Sequence, residues 1–83
     1  MRIKHNLAIS PSGFLFDPGS GDSYSVNPIG MEIIELLRQG KSKDDVKEHI
    51  LKEYLTDEVS FEKDYYDFTT MLRKHKLTDD DKA

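Results

Sequence analysis

The spacing of hydrophobic and polar positions changes once along the chain, between Val26 and Asn27. Before that point, Tyr24 and Val26 alternate with serines over residues 22–26, which is the period of a strand with one polar face. After it, apolar residues recur every three or four positions, as on one face of a helix. These are Ile29, Ile33, Ile34, Leu36 and Leu37. The pattern predicts a strand that leads directly into a first helix.

Residues with preferred helix-terminal roles bound this first helix. Asn27 is a preferred N-cap, and Pro28 suits the first helical position because its missing N–H has no partner there in any case. Gly40 stands just past the last apolar position, where a left-handed residue commonly ends a helix. The sequence therefore predicts both ends of the helix as well as its buried face.

Two further extended runs precede the strand. The first ends at Ser10 and carries Ile3, Leu7 and Ile9, and the second, Phe14–Phe16, has the composition of a buried strand. Glycine, proline and small polar residues at 11–13 and 17–22 predict the turns between the strands. Three short strands in succession predict an antiparallel meander, which needs helices over one face to be stable.

Two more amphipathic helices are predicted to provide that cover. Ser42 is the expected N-cap of the second, and Ser60 the expected N-cap of the third. The apolar face of the second consists of Val46, Ile50, Leu51, Tyr54 and Leu55. The apolar face of the third consists of Phe61, Tyr65, Phe68 and Leu72. Leu77 is expected to pack just beyond it, so the prediction is a single α+β domain over 1–77 with the order βββααα, followed by a disordered acidic tail over 78–83.

Composition narrows the class of protein. The chain has 83 residues, no cysteine and a formal net charge of −4. Disulfides and thiol catalysis are therefore excluded, and acidity disfavours nucleic acid and anionic membranes as partners. Because no apolar run is long enough for a signal peptide or a membrane span, we expect a cytoplasmic protein.

The residues that usually carry catalysis are present but dispersed. His5, His49 and His75 fall on different predicted elements, and none has a partner at metal-ligand spacing. The aspartates at 79–81 lie in the predicted tail, and no serine sits in a nucleophile elbow. We therefore expect no enzyme, no metal and no cofactor.

Two surfaces remain as candidates for binding. One is the third helix, where Tyr65, Tyr66 and Phe68 lie near Thr69 and Thr70, although Phe68 and Leu72 also fit a purely structural core role. The other is the third strand, an outer strand of the meander whose free N–H and C=O groups can pair with an added peptide. A short outer strand is also tolerated simply because it is short, so the sequence leaves this alternative open.

Two motifs resemble the PqqD family. The first is V-N-P-x-G-x-x-I-x-x-L-L after the strand, and the second is D-Y-x-x-F-x-x-x-L with a closing leucine. The matching residues are Val26, Asn27, Pro28, Gly30, Ile33, Leu36, Leu37, Asp64, Tyr65, Phe68, Leu72 and Leu77. The resemblance covers roughly residues 4–77. Members that serve pyrroloquinoline quinone synthesis usually carry alanine at the position of Gly30. They also usually carry Cys-Asp-Gly where this chain has Arg-Gln-Gly at 38–40. The sequence therefore fits the broader PqqD-like branch of the family better than the quinone-synthesis branch.

The resemblance implies a winged-helix-like domain that binds the leader of a ribosomally made precursor peptide without catalysis. The leader would add a strand in the cleft between the third strand and the third helix and be presented to a modifying enzyme, typically a radical-SAM protein. Backbone pairing would then fall on Asp22, Ser23, Tyr24, Ser25 and Val26. Side-chain contacts would fall on Tyr65, Phe68, Thr69 and Leu72.

Three further expectations follow from the residues. A winged-helix nucleic-acid-binding domain is the alternative function, with Arg73, Lys74 and Lys76 on phosphates. The same helix carries Glu62, Asp64 and Asp67, which would repel a polyanion. A structural subunit that only stabilises a partner enzyme is a third interpretation. The free strand predicts a monomer or a weak homodimer that competes with peptide.

Overall fold

The computed structural model describes residues 1–79 and has the predicted order of elements. Three strands come first, β1 (Ala8–Ser10), β2 (Phe14–Asp17) and β3 (Asp22–Ser25). Three helices follow, α1 (Pro28–Arg38), α2 (Lys43–Glu53) and α3 (Glu58–Lys74). The α+β class and the βββααα order are therefore confirmed. Residues 80–83, most of the predicted tail, lie outside the described residues.

The strands form one antiparallel sheet in the order β1-β2-β3. Leu15 of β2 lies opposite Ile9 of β1 and Tyr24 of β3, on the face that the helices cover. The prediction of a buried β2 is correct for Leu15 and wrong for Phe14 and Phe16, which are 51% and 44% exposed. The reason is that alternate residues of a strand face opposite sides, and the helices cover only one side.

The turn between β2 and β3 is held by the buried carboxylate of Asp17. This carboxylate accepts hydrogen bonds from Lys4 Nζ at 3.2 Å, from the Gly19 amide at 3.0 Å and from Ser20 Oγ at 3.3 Å. Burial alone would raise the pKa of Asp17, but the hydrogen bonds and the charge of Lys4 lower it overall below the ordinary value of 3.8. The predicted turn at 17–22 is thus confirmed and anchored to the N-terminal segment.

The lowered pKa of Asp17 gives a testable pH dependence. A carboxyl whose folded pKa lies below its unfolded pKa stabilises the fold above the unfolded value, and that stabilisation is lost as the pH falls through the folded value. Urea unfolding of Asp17→Asn should therefore show lower stability at pH 7 and a smaller further loss below pH 3.8 than the wild type. Asp22→Asn, an exposed aspartate of the same turn, is the control. Equal pH dependence of Asp17→Asn and wild type would contradict the assignment.

The ends of α1 and the start of α2 follow the sequence signals. Asn27 Oδ1 accepts from the Gly30 amide at 2.8 Å, with Pro28 as the first helical residue. Gly40 has a φ of 86° and its amide donates to the carbonyl of Leu37, so a left-handed residue ends the helix as predicted. Ser42 Oγ accepts from the Asp45 amide at 3.1 Å, which confirms the predicted cap of α2.

The start of α3 differs from the prediction. Asp57, and not Ser60, is the N-cap, because its Oδ1 accepts from the Ser60 amide at 2.7 Å and the helix begins at Glu58. Ser60 is therefore already within the first turn. Leu55 was predicted on the apolar face of α2, but that helix ends at Glu53 and Leu55 is fully exposed.

The core lies between the covered face of the sheet and the three helices. Its buried members are Ile3, Leu7, Leu15, Ile33, Ile34, Leu37, Val46, Ile50, Phe61, Leu72 and Leu77. Leu77 packs beyond α3 as predicted. Beside it, residues 2–3 pair with residues 78–79: Ile3 forms an antiparallel bridge with Thr78, and the Asp79 amide donates to the carbonyl of Arg2 at 2.9 Å. Ordered contacts thus continue two residues past the predicted domain end at 77. None of the helices within residues 1–79 is long and apolar enough to cross a membrane.

Candidate functional site

The outer edge of β3 offers unused backbone hydrogen-bonding groups. The Val26 amide donates to the carbonyl of Gly13 at 2.8 Å, which fixes the hydrogen-bonding phase of the β2–β3 ladder. Because the groups of successive residues in an antiparallel pair point alternately toward and away from the neighbour, Tyr24 pairs with β2 while Ser23 and Ser25 point outward. Within residues 1–79, no strand lies on that side of β3. The five residues predicted for backbone pairing therefore reduce to two with free groups.

Helix α3 approaches β3 and the residues after it at two points. The ring of His75, at the end of α3, lies 4.8 Å from the ring of Tyr24. About two turns earlier, Phe68 lies beside Gly30, where an added Cβ would be 3.2 Å from the Phe68 ring and 2.6 Å from Val26 Cγ1. Burial raises the pKa of the Tyr24 hydroxyl, so this tyrosine presents a neutral ring to the space between the two elements.

A cavity of about 260 Å³ lies between the start of α1 and α3. Its lining consists of Asn27, Ile29, Gly30, Ile33, Asp64, Asp67 and Phe68. We use "the cleft" for this cavity together with the outer edge of β3 at Ser23 and Ser25. Asn27 follows β3 after one residue, Val26, so the chain leads from the strand to the lining of the cavity. The cleft thus combines free backbone groups with a recess of apolar and acidic lining that can receive a side chain.

The predicted side-chain contacts on α3 divide among three surroundings. Phe68 is half-buried and lines the cavity, as the prediction requires. Leu72 is fully buried in the core, so its position does not support the predicted direct contact with a peptide. Tyr65 turns toward α2, where Lys43 Nζ lies 5.4 Å from the centre of its ring. Thr69 is buried, and its Oγ1 donates to the carbonyl of Tyr65 within α3 at 2.9 Å.

The helical period explains this division. Successive residues are rotated by about 100°, so Tyr65 and Thr69 lie on one flank of the buried stripe of α3, and Asp64 and Asp67 lie on the other. The first flank packs on α2, where Lys43 and Lys47 pair with Glu62. The second flank faces the cavity. Contact of Tyr65 and Thr69 with a peptide bound along β3 is therefore not supported by their position.

Sequence reasoning missed several residues that line the cavity. Ile29 and Ile33 were assigned to the core face of α1, Asn27 to the helix cap and the family motif, and Gly30 to the family motif alone. Asp64 was part of the family motif, and its spacing of four residues before Phe68 was the available signal that the two share a face. The charge of the cavity is consequently acidic, with two carboxylates and no basic residue in its lining.

Three antiparallel strands, three helices and an open outer strand beside the last helix define a class of small α+β domain. The chain belongs to the PqqD family: the family model described as coenzyme PQQ synthesis protein D matches residues 13–77. Comparison with curated proteins gives no match. The family resemblance seen in the two sequence motifs is thereby confirmed.

A solved structure shares the fold over almost its whole length. It is described as TbiB1 in complex with the TbiA(beta) leader peptide, and it matches with a TM-score of 0.82 at 26% sequence identity. The match covers 95% of this chain and 95% of the other. The likeness therefore extends over all six elements and over both sides of the cleft.

Proposed function

We propose that this protein binds the leader of a ribosomally made precursor peptide as a fourth strand on β3. The observation that carries the proposal is the free outer edge of β3 at Ser23 and Ser25, together with the cavity between the start of α1 and α3. Membership of the PqqD family and the likeness to a leader-bound structure support it. The cavity residues and Phe68 supply the side-chain contacts.

Both parts of the cleft are needed for useful affinity. The outward N–H and C=O groups of Ser23 and Ser25 allow four backbone hydrogen bonds, each contributing roughly 0.5–1.5 kcal/mol net. Micromolar binding needs about 8 kcal/mol, and ordering a flexible peptide opposes it. Filling the cavity with one apolar stem adds about 1.5–3 kcal/mol. Strand pairing therefore fixes the position of the leader, and the cavity provides much of the remaining affinity and selectivity.

The role we propose is presentation without chemical change. The protein would hold the leader while a modifying enzyme, of the radical-SAM type that the family resemblance implies, acts on the remainder of the precursor. We place this activity in the cytoplasm, because the precursor is made by ribosomes. Two free β3 edges can also pair with each other, so a weak homodimer would compete with the leader.

A peptide titration tests the proposal. The probes are synthetic leader regions of short reading frames encoded beside this gene, added to the ¹⁵N-labelled full chain. We expect micromolar or tighter binding of one of them, with amide shifts concentrated at residues 22–30 and 64–75. Unchanged spectra with every candidate would contradict the proposal, and shifts confined to α2 would contradict the assigned cleft.

Replacing Phe68 separates a cleft contact from a general effect of α3. Phe68→Ala removes the aromatic wall of the cavity, so we expect affinity for the leader to fall on the order of tenfold or more. Tyr66→Ala is the matched control, because Tyr66 is on the same helix, is 68% exposed and does not line the cavity. Calorimetric titration at a temperature where both variants are folded measures the difference. Equal affinities of the two variants would exclude Phe68 from the site.

A further inference from the structure

The cavity of the cleft is lined by both apolar and acidic side chains. Ile29, Ile33 and the ring of Phe68 provide apolar walls, and Asp64 and Asp67 add two carboxylates to the lining. A volume of about 260 Å³ is enough for one long side chain. A peptide strand paired to Ser23 and Ser25 would direct alternate side chains to the face of the sheet that the helices cover.

The negative charge at this cavity has little compensation from the protein. Among residues 1–79, Asp64 forms no ion pair, and Asp67 is paired only with Lys63, at 3.1 Å on the exposed surface of α3. An exposed pair of this kind contributes little and is readily exchanged. The Asn27 side-chain oxygen is engaged by the Gly30 amide, and no lysine, arginine or histidine lines the cavity.

We propose that the leader side chain that enters this cavity is a lysine or an arginine. This inference rests on the proposed strand addition and specifies the class of leader it selects. The aliphatic stem of either residue packs against Ile29, Ile33 and Phe68, while the cationic end reaches the carboxylates. A neutral aliphatic side chain would fill the walls but leave the carboxylates without a cationic partner, and an acidic one would be repelled.

The charge preference should be measurable as a selectivity between otherwise similar peptides. We expect lysine to bind about two- to fivefold more tightly than norleucine at the inward position, which is the range for an ion pair with exposed carboxylates. The preference should decrease as salt is raised. The preference for lysine should also require both the cavity carboxylates and the outer edge of β3. Substitutions at Asp64 and Asp67 test the first requirement, and a substitution at Ser25 tests the second.

The test uses a library of short random peptides displayed on phage and captured by the immobilised full chain. Three baits are compared: wild type, the double variant Asp64→Asn/Asp67→Asn, and Ser25→Pro, which blocks strand addition. We expect wild type to enrich peptides with lysine or arginine at one fixed position of an alternating pattern. The double variant should enrich the same alternating pattern without the basic residue, and Ser25→Pro should enrich neither. Selected peptides are then resynthesised with norleucine in place of lysine for calorimetry.

The possible failures are distinguishable. Alternating peptides that lack a basic residue, captured by wild type and lost with Ser25→Pro, would overturn the charge preference and leave strand addition intact. A basic residue enriched equally by wild type and by the double variant would also overturn it. Peptides captured equally well by Ser25→Pro, or no enrichment on wild type, would contradict the proposed function and the inference with it.

Discussion

Ser25→Pro is expected to weaken leader binding about a hundredfold, equivalent to about 2.7 kcal/mol, while the fold is retained. The N–H of Ser25 points away from β2, so proline removes a donor that the free protein does not use. The ring also occupies the space in which an added strand must lie. Proline is tolerated on outer strands for this reason, whereas at Tyr24 it would break the sheet. Calorimetry with the leader that titrates the wild type measures the loss.

Ser25→Thr is the matched control for this variant. Threonine keeps the amide and favours extended structure, so its affinity should remain within about threefold of the wild type. Thermal unfolding of both variants establishes that the domain is intact. If Ser25→Pro is folded and binds the leader as tightly as Ser25→Thr, the leader does not pair with the outer edge of β3.

Leu72→Ala is expected to have the largest effect on stability. Leu72 is fully buried between the sheet and the helices, and removing such a side chain decreases the free energy of unfolding by about 2–5 kcal/mol. For a domain with a total stability of about 5–15 kcal/mol, this is a large fraction. The melting temperature should fall by roughly 10 °C or more, since each kcal/mol corresponds to about 4–8 °C at this size.

The same position distinguishes a core role from a binding role. Leu72→Met nearly conserves volume and should change stability by less than about 1.5 kcal/mol. Where each variant is fully folded, both should bind the leader with an affinity close to that of the wild type, unlike Phe68→Ala. A folded Leu72→Ala protein with strongly reduced affinity would restore Leu72 to the peptide site.

Much of the fold could be predicted because its signals are local. Asn27, Pro28 and Gly40 each act within one turn of the helix end that they define, so their roles do not depend on tertiary packing. The start of α3 was predicted wrongly because only Ser60 was considered as its cap. Asp57, three positions earlier, is an equally good N-cap by residue type, and it is the one that caps the helix.

The strand side of the cleft was predictable, whereas the helix side was not. A three-stranded meander leaves its last strand open, so the choice of β3 follows from topology, whereas the selection of Ser23 and Ser25 within it needed the observed hydrogen-bonding phase. Periodicity identifies the apolar stripe of α3 but not which flank meets α2, and that choice separates Tyr65 from Phe68. The cavity itself depends on the close approach of Phe68 to Gly30, a contact between residues far apart in sequence.

Hydrogen exchange of individual β3 amides is the most direct test of strand addition. In the free protein the amides of Ser23 and Ser25 face solvent, and the amide of Tyr24 already pairs with β2. The account predicts that saturating leader slows exchange at Ser23 and Ser25 substantially and changes Tyr24 much less. Bound leader with unchanged exchange at both serines would contradict pairing along the edge of β3.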